Sequence, residues 1–166
     1  MMRFQHVSIL LIGFWAISGW ACQAKKNTET VEAETTAPAI PSYPALGNEE
    51  VSRIYSQADH VDIIFYDLPI SVSQDDPASV KNTALYVSPA SPNITNQCKP
   101  IARLSWMAQG TIMREADVHV DTGCVYLLFY ENSKPVAANA MQQAGVDFFQ
   151  NIIRQVEQQK QGIQPK

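Results

Sequence analysis

Residues 111–121 carry the clearest alternation of apolar and polar character in the chain, broken only at Met113-Arg114. Ile112, Ala116, Val118 and Val120 fall on one side, and Glu115, Asp117, His119 and Asp121 on the other. A period of two is the signature of a β-strand with one buried and one solvated face. One such strand cannot stand alone, so its neighbours must be strands as well. Gly110 on one side and Thr122-Gly123 on the other suit tight turns and predict antiparallel hairpins in both directions. Over 101–109, Ala102, Leu104, Trp106 and Ala108 share a face opposite Arg103 and Ser105. Over 124–131, Val125, Leu127 and Phe129 alternate with Tyr126, Leu128 and Tyr130. A turn at Asn132-Ser133-Lys134 leads into a short strand at 135–138. The expectation is an antiparallel meander of about four strands.

Helical signals flank this block. Asn48 is placed to cap a helix that carries Val51, Ile54, Tyr55 and Ala58 on one face. Val61 to Tyr66 is β-branched and aromatic and reads as a strand, broken by Leu68-Pro69-Ile70. His60 stands at the junction, either closing the preceding helix or opening this strand. Asp76 followed by Pro77 reads as a helix start, with Val80, Ala84 and Val87 on its face. Asn139 and Gln142 have the spacing of a capping box, ahead of a stripe of Met141, Gly145, Phe148, Phe149, Ile152 and Val156. The fold class is therefore α+β: amphipathic helices, the C-terminal one included, pack on one face of an antiparallel sheet. The other sheet face is expected to be acidic and exposed. The domain spans 48–159, and 160–166 is a frayed tail.

The chain of 166 residues opens differently. After Arg3, residues 7–20 form an apolar run of 14. That is short of the about 20 residues a helix needs to span a bilayer, and it suits a signal-peptide core. Gly19-Trp20-Ala21-Cys22 follows. This arrangement resembles a bacterial lipoprotein signal, cut before a cysteine that then carries acyl chains. It matches at Ala21 and Cys22 and departs at Gly19, where Leu is usual, and at Trp20, where a small residue is usual. The resemblance implies a signal peptide over 1–21, lipidation at Cys22, and attachment to a membrane. Ordinary secretion after Ala21 and an uncleaved anchor are the alternatives. Gln23, in place of an Asp after the cysteine, implies the outer membrane of a Gram-negative bacterium. Residues 22–47, with Lys25, Lys26, three Glu and three Pro, read as a disordered tether with a span of roughly 28 Å.

Three cysteines in an exported chain leave one odd. If Cys22 is acylated, Cys98 and Cys124 remain as a disulfide pair; two buried free thiols are the other reading. The pair lacks the further ligands a structural zinc site needs.

The net charge is −4, from 12 Lys and Arg against 16 Asp and Glu. With no basic cluster, nucleic acid is a poor partner. Phosphate loops, nucleophile elbows and Cys-x-x-Cys or His-Glu-x-x-His motifs do not occur. Asp121-Thr122-Gly123 has the triplet of aspartic peptidases, but also the residues of a hairpin turn. Two His-Val-Asp triplets place His60 with Asp62, and His119 with Asp121, on one side of their strands. On neighbouring strands, these four would suit zinc or manganese in a metal-dependent hydrolase. A solvated polar face explains the same spacing. Tyr66, Tyr126 and Tyr130 would form a binding patch if exposed, and otherwise fill the sheet. The loop 88–100, stapled at Cys98, would serve as the wedge of a periplasmic enzyme inhibitor if it projected.

From Asp62 to Ile153, with Phe65 to Asp76 and Gln97-Cys98-Lys99-Pro100, the chain resembles envelope lipoproteins of Gram-negative bacteria that have no assigned activity. That resemblance transfers no site residues. The expectation is a membrane-anchored, non-catalytic binding or scaffolding domain without cofactor, facing an envelope protein or a glycan.

Overall fold

The computed structural model describes residues 42–94 and 98–162. Six antiparallel strands form one open sheet, and three helices lie against it. In chain order these are α1 (Asn48–Gln57), β1 (His60–Phe65), β2 (Ser71–Gln74), α2 (Pro77–Ala84), β3 (Ala102–Ala108), β4 (Thr111–Asp121), β5 (Cys124–Glu131), β6 (Lys134–Ala140) and α3 (Gln143–Gly162). The strand order is β2-β1-β3-β4-β5-β6. The expected meander is present as β3 to β6. The expectation of about four strands undercounts because β1 joins the same sheet beside β3 and because β2 exists. Ser71–Gln74 offers only two half-buried side chains, too short a pattern to read. His60 begins β1 and does not end α1.

The hairpins close as backbone sterics require. Gln109 and Gly110 both take positive φ, 51° and 73°, as do Asn132 and Ser133. That is the backbone of the two-residue turns whose twist matches the flanking strands. Gly123, at φ 77°, sits in the turn between β4 and β5. There the Asp121 carboxylate accepts from the Thr122 N–H at 2.7 Å, so the Asp-Thr-Gly triplet is a turn with its own local hydrogen bond.

One sheet face carries the core. Val61, Ile63 and Phe65, then Leu104 and Trp106, then Ala116 and Val118, then Leu127 and Phe129 are all buried. The helices supply Ile54, Val80, Ala84, Val146 and Phe149 to the same cluster. Phe149 meets Phe65 edge-on at 6.2 Å, and Trp106 stacks on Phe129 at 6.1 Å. Asp76 caps α2 as expected, accepting from the Ser79 N–H at 2.9 Å ahead of Pro77. α1 behaves differently: Gly47 precedes it without a side-chain cap, and Tyr55 faces outward.

Two boundaries move. Leu46 is buried in the core, so the folded chain starts before residue 48, inside the stretch read as tether. Asn139 does not cap α3. It belongs to β6 and is fully buried, because its amide serves the backbone of the entering chain. Its Oδ1 accepts from Leu46 N–H at 2.7 Å, and its Nδ2 donates to Ser88 O at 2.8 Å. The outer edge of β6 is covered in the same region: Ala138 N–H bonds Pro44 O, and Ala140 N–H bonds Ala90 O. At its other end the chain stays helical past 159, to Gly162.

Candidate functional site

Among the described residues, no helix lies on the second face of the sheet. Register sets its residues in rows. One row runs Ser71, Ile64, Arg103, Asp117, Leu128, Ala138, and the next runs Ser73, Asp62, Ser105, Glu115, Tyr130. Antiparallel pairing brings side chains in a row within about 5 Å of each other. Chemistry distant in sequence therefore meets here.

Arg103 is at the centre. Its Nε donates to Asp117 Oδ1 at 2.8 Å and to the Tyr66 hydroxyl at 3.2 Å. Its guanidinium lies 4.5 Å from the centre of the Tyr130 ring, a cation–π geometry. The Tyr66 hydroxyl donates to the same Asp117 oxygen at 2.6 Å. Asp117 is only 5% exposed. An arginine and phenol hydroxyls surround its carboxyl group. Burial, followed by the hydrogen bond to Asp117, pushes the Tyr130 phenol up to about 12 and raises Tyr66 as well. Burial opposes the charge on Arg103, but the Tyr66 hydroxyl and Asp117 outweigh it and hold its pKa above the ordinary value. The shifts on Tyr66, Tyr130 and Arg103 all run away from the neutral range in which a general acid or base works best. The arrangement is suited to binding: a semi-exposed aromatic and guanidinium surface held rigid from below. The expectation of an acidic, exposed face is corrected at Asp117 and His119, both buried.

The proposed metal ligands do not converge. β3 lies between β1 and β4. Level with Ile64 and Arg103 on their strands is Asp117. Asp62 lies two residues to one side of that row and His119 two residues to the other, roughly 13 Å apart along the strands. His60 and Asp121 lie further out still. Among the described residues, no group of three or more His, Cys, Asp or Glu side chains is placed to hold a metal ion.

The sheet does assemble a serine, an aspartate and a histidine. Ser73 Oγ donates to Asp62 Oδ1 at 2.5 Å, and His60 Nε2 lies 3.1 Å from the same oxygen. The order is wrong for nucleophilic catalysis, which needs the imidazole between hydroxyl and carboxylate. Here the carboxylate is in the middle. Its pKa is lowered, chiefly by the Ser73 hydrogen bond, which makes it a weaker base.

The tyrosine candidates separate. Tyr66 is 44% exposed, and Tyr130 is half-buried. Tyr126 is covered and stacks on His119, with ring centres 4.3 Å apart and planes 14° from parallel. The disulfide between Cys98 and Cys124 is present, with Cα atoms 6.1 Å apart. The described part of the loop 88–100 is tied down at both ends, by Ser88 and Ala90 to Ala140 and by the disulfide. Residues 95–97, within that loop, lie outside the described residues, as does Cys22. A small apolar cavity of about 150 Å³ opens between Phe65, Leu68, Ile101 and Ile153, with Asp67 at its lining. Among the described residues, no helix is long and apolar enough to cross a membrane. Arg103 and Asp117 were visible in the sequence only as members of polar faces; their pairing depends on the register of two strands.

Comparison with protein-family models, curated proteins and solved structures gives no match.

Proposed function

We propose that this chain is an envelope lipoprotein, acylated at Cys22, whose α+β domain binds or scaffolds a partner and performs no chemistry. The cysteine pairing carries this reading. Cys98 and Cys124 form a disulfide within the domain, which fits an oxidising compartment and leaves Cys22 as the odd thiol, beside the lipoprotein-like signal. In this reading the tether holds the domain clear of the outer membrane of a Gram-negative bacterium. The helix-free sheet face, with Tyr66, Arg103 and Tyr130, is its binding surface for an envelope protein or a glycan. Aromatic rings beside fixed charged groups suit either partner.

Intact mass of the protein from the membrane fraction tests the assignment. The expected species begins at Cys22, carries two or three acyl chains, and is about two daltons light for the cystine bond. A water-soluble species with free thiols and its original N-terminus would overturn it.

A further inference from the structure

We propose that the outer edge of β2 is the docking site for an extended segment of another protein, one that carries a basic residue and, two positions later, an aromatic one. The inference gives the proposed binding role a second surface and a partner class, and it does not depend on acylation at Cys22.

The sheet has two edges, and the chain treats them differently. Along β6, the carbonyls of Pro44 and Ala90 take up the backbone N–H groups of Ala138 and Ala140. β2 is the other edge. The Phe65 N–H bonds the carbonyl of Ile70, the residue just before β2. Antiparallel pairing alternates. Val72 and Gln74, opposite Ile63 and Val61, therefore also turn their backbone groups toward β1, and Ser71 and Ser73 turn theirs away. Among the described residues, no backbone group meets those of Ser71 and Ser73 on the outer side. Exposed edges are ordinarily guarded by Lys, Pro or a bulge. Ser-Val-Ser-Gln contains neither residue, and its register with β1 is unbroken. Its guard is its length of only 4 residues.

That shortness decides what can bind. The few backbone bonds of such an edge do not offset the freedom lost on association, so side chains must supply the rest. An added strand that pairs antiparallel, as every strand of this sheet does, sets one residue opposite Ser73 and the residue two positions later opposite Ser71. Both project onto the face that carries Asp62 and Ile64, which lie level with Ser73 and Ser71 on β1. The serines are small, so longer side chains can pass over them toward β1, about 10 Å away. Ile64 is 54% exposed and gives an aromatic ring apolar surface to cover. Asp62 is partly exposed. Ser73 and His60 both bond its Oδ1, and these bonds, Ser73 foremost, lower its pKa. It is a fixed anion for a guanidinium. Asp75, exposed just past β2, adds negative charge. The intervening residue of the partner falls beside half-buried Val72 and is aliphatic. A second copy of this chain fits poorly: in antiparallel register it sets Ser73 opposite Ser71, which leaves Ile64 bare and brings no cation to Asp62.

The test uses the full chain with its disulfide intact and the synthetic peptide acetyl-Thr-Arg-Val-Phe-Thr-amide, followed by NMR titration. Amide shifts are expected to concentrate on Ser71 to Gln74, with contacts between the peptide Phe ring and the Ile64 methyl groups. N-methylation of the peptide Arg and Phe, whose N–H groups face β2, should weaken binding at least about tenfold. N-methylation of Val, whose N–H faces away, should not. Exchange of the peptide Arg for Glu should weaken binding as well. Ser71→Pro removes an outward N–H and leaves the bonds to β1, a place where an edge strand accepts Pro, and it should weaken binding too; the peptide variants decide even if this variant fails to fold. Equal binding of the doubly methylated peptide, shifts centred on Arg103 and Tyr130, or no binding at millimolar peptide would overturn the proposal. Self-association of the chain that Ser71→Pro abolishes would also overturn it, by making a second copy the occupant. None of these results alters the mass of the membrane-fraction species, so the lipoprotein reading stands or falls separately.

Discussion

Asn139 and Leu46, 93 positions apart, are joined through both ends of one side-chain amide: Oδ1 accepts from the Leu46 N–H at 2.7 Å, and Nδ2 reaches the Leu46 carbonyl at 3.4 Å. The same Nδ2 bonds Ser88 O at 2.8 Å. One buried residue of the edge strand β6 thus fixes the entering chain and the exit of α2 together. Replacing it by Ala strands a buried N–H and two carbonyls, each costing roughly 1–3 kcal/mol when unmet, though relaxation recovers part. Asn139→Ala should lose about 2–4 kcal/mol in urea unfolding. Asn139→Asp should be no better, since a carboxylate cannot donate to the two carbonyls. A loss below 1 kcal/mol in both would show that Leu46 is held by other means.

Gly145 lies in the first turn of α3 and packs against Tyr86. A Cβ there would come within 2.8 Å of Tyr86 Cβ and 2.9 Å of Met141 Cγ. Helix propensity alone favours Ala over Gly by about 1 kcal/mol. The clash opposes it, and its nearest atom is a Cβ that moves only with its backbone. Overpacking of this kind costs about 1–3 kcal/mol. Gly145→Ala should therefore lower the melting temperature despite the better helix former. A raised melting temperature would mean that α3 shifts freely on the sheet.

What could be read in the sequence was what short-range periodicity carries. Residues 111–121 announced β4 because the unbroken alternation from Glu115 to Asp121 fits only a strand, and Asp76-Pro77 announced α2 because the cap is local. β2 escaped because four residues cannot establish a period. Asn139 misled for the opposite reason: its local spacing to Gln142 imitates a cap, while its partners are Leu46 and Ser88. The His-Val-Asp triplets had the right face and the wrong place. Period two orients a side chain, but which strands lie adjacent is a property of topology, and β3 came between. The Arg103–Asp117 pair needed both face and register, so it was invisible until β3 and β4 were aligned.

Glu50 gives the fold an acid-sensitive clasp. Its carboxylate receives Arg53 of its own helix at 2.6 Å and Arg114 of β4 at 2.7 Å. The Arg53 hydrogen bond, working against partial burial and helped by Arg114, lowers its pKa from 4.5 to about 2. The folded state therefore binds fewer protons than the unfolded one between these values. The stabilisation is complete above the ordinary carboxylate pKa and is lost as pH falls through 4.5 toward 2. With allowance for solvent screening it amounts to about 1–2 kcal/mol. Denaturant titrations at pH 7 and pH 3 should show Glu50→Gln less stable than the unaltered protein at pH 7, with the gap narrowing at pH 3. A gap that is constant across this range would assign the loss to packing.

The sheet-face cluster separates stability from recognition. Asp117 is buried and its charge is compensated mainly by Arg103. Arg103→Met keeps the stem over Tyr130 but leaves a buried carboxylate facing only phenol hydroxyls. Breaking one side of such a pair costs about 3–5 kcal/mol when fully buried; with Arg103 partly exposed, about 2–4 is expected. Adding Asp117→Leu removes the uncompensated charge, and the double variant should regain most of that loss, because apolar replacements of buried ion pairs are often neutral. The residual deficit reflects Tyr66 and Tyr130, whose hydroxyls lose their common acceptor. Should Arg103→Met prove neutral in denaturant unfolding, the pair contributes nothing to the fold. The cycle then has a second use, since the double variant is folded but presents an apolar centre between Tyr66 and Tyr130. A partner that reads the charge should be lost in it, and one that reads only the rings should be kept.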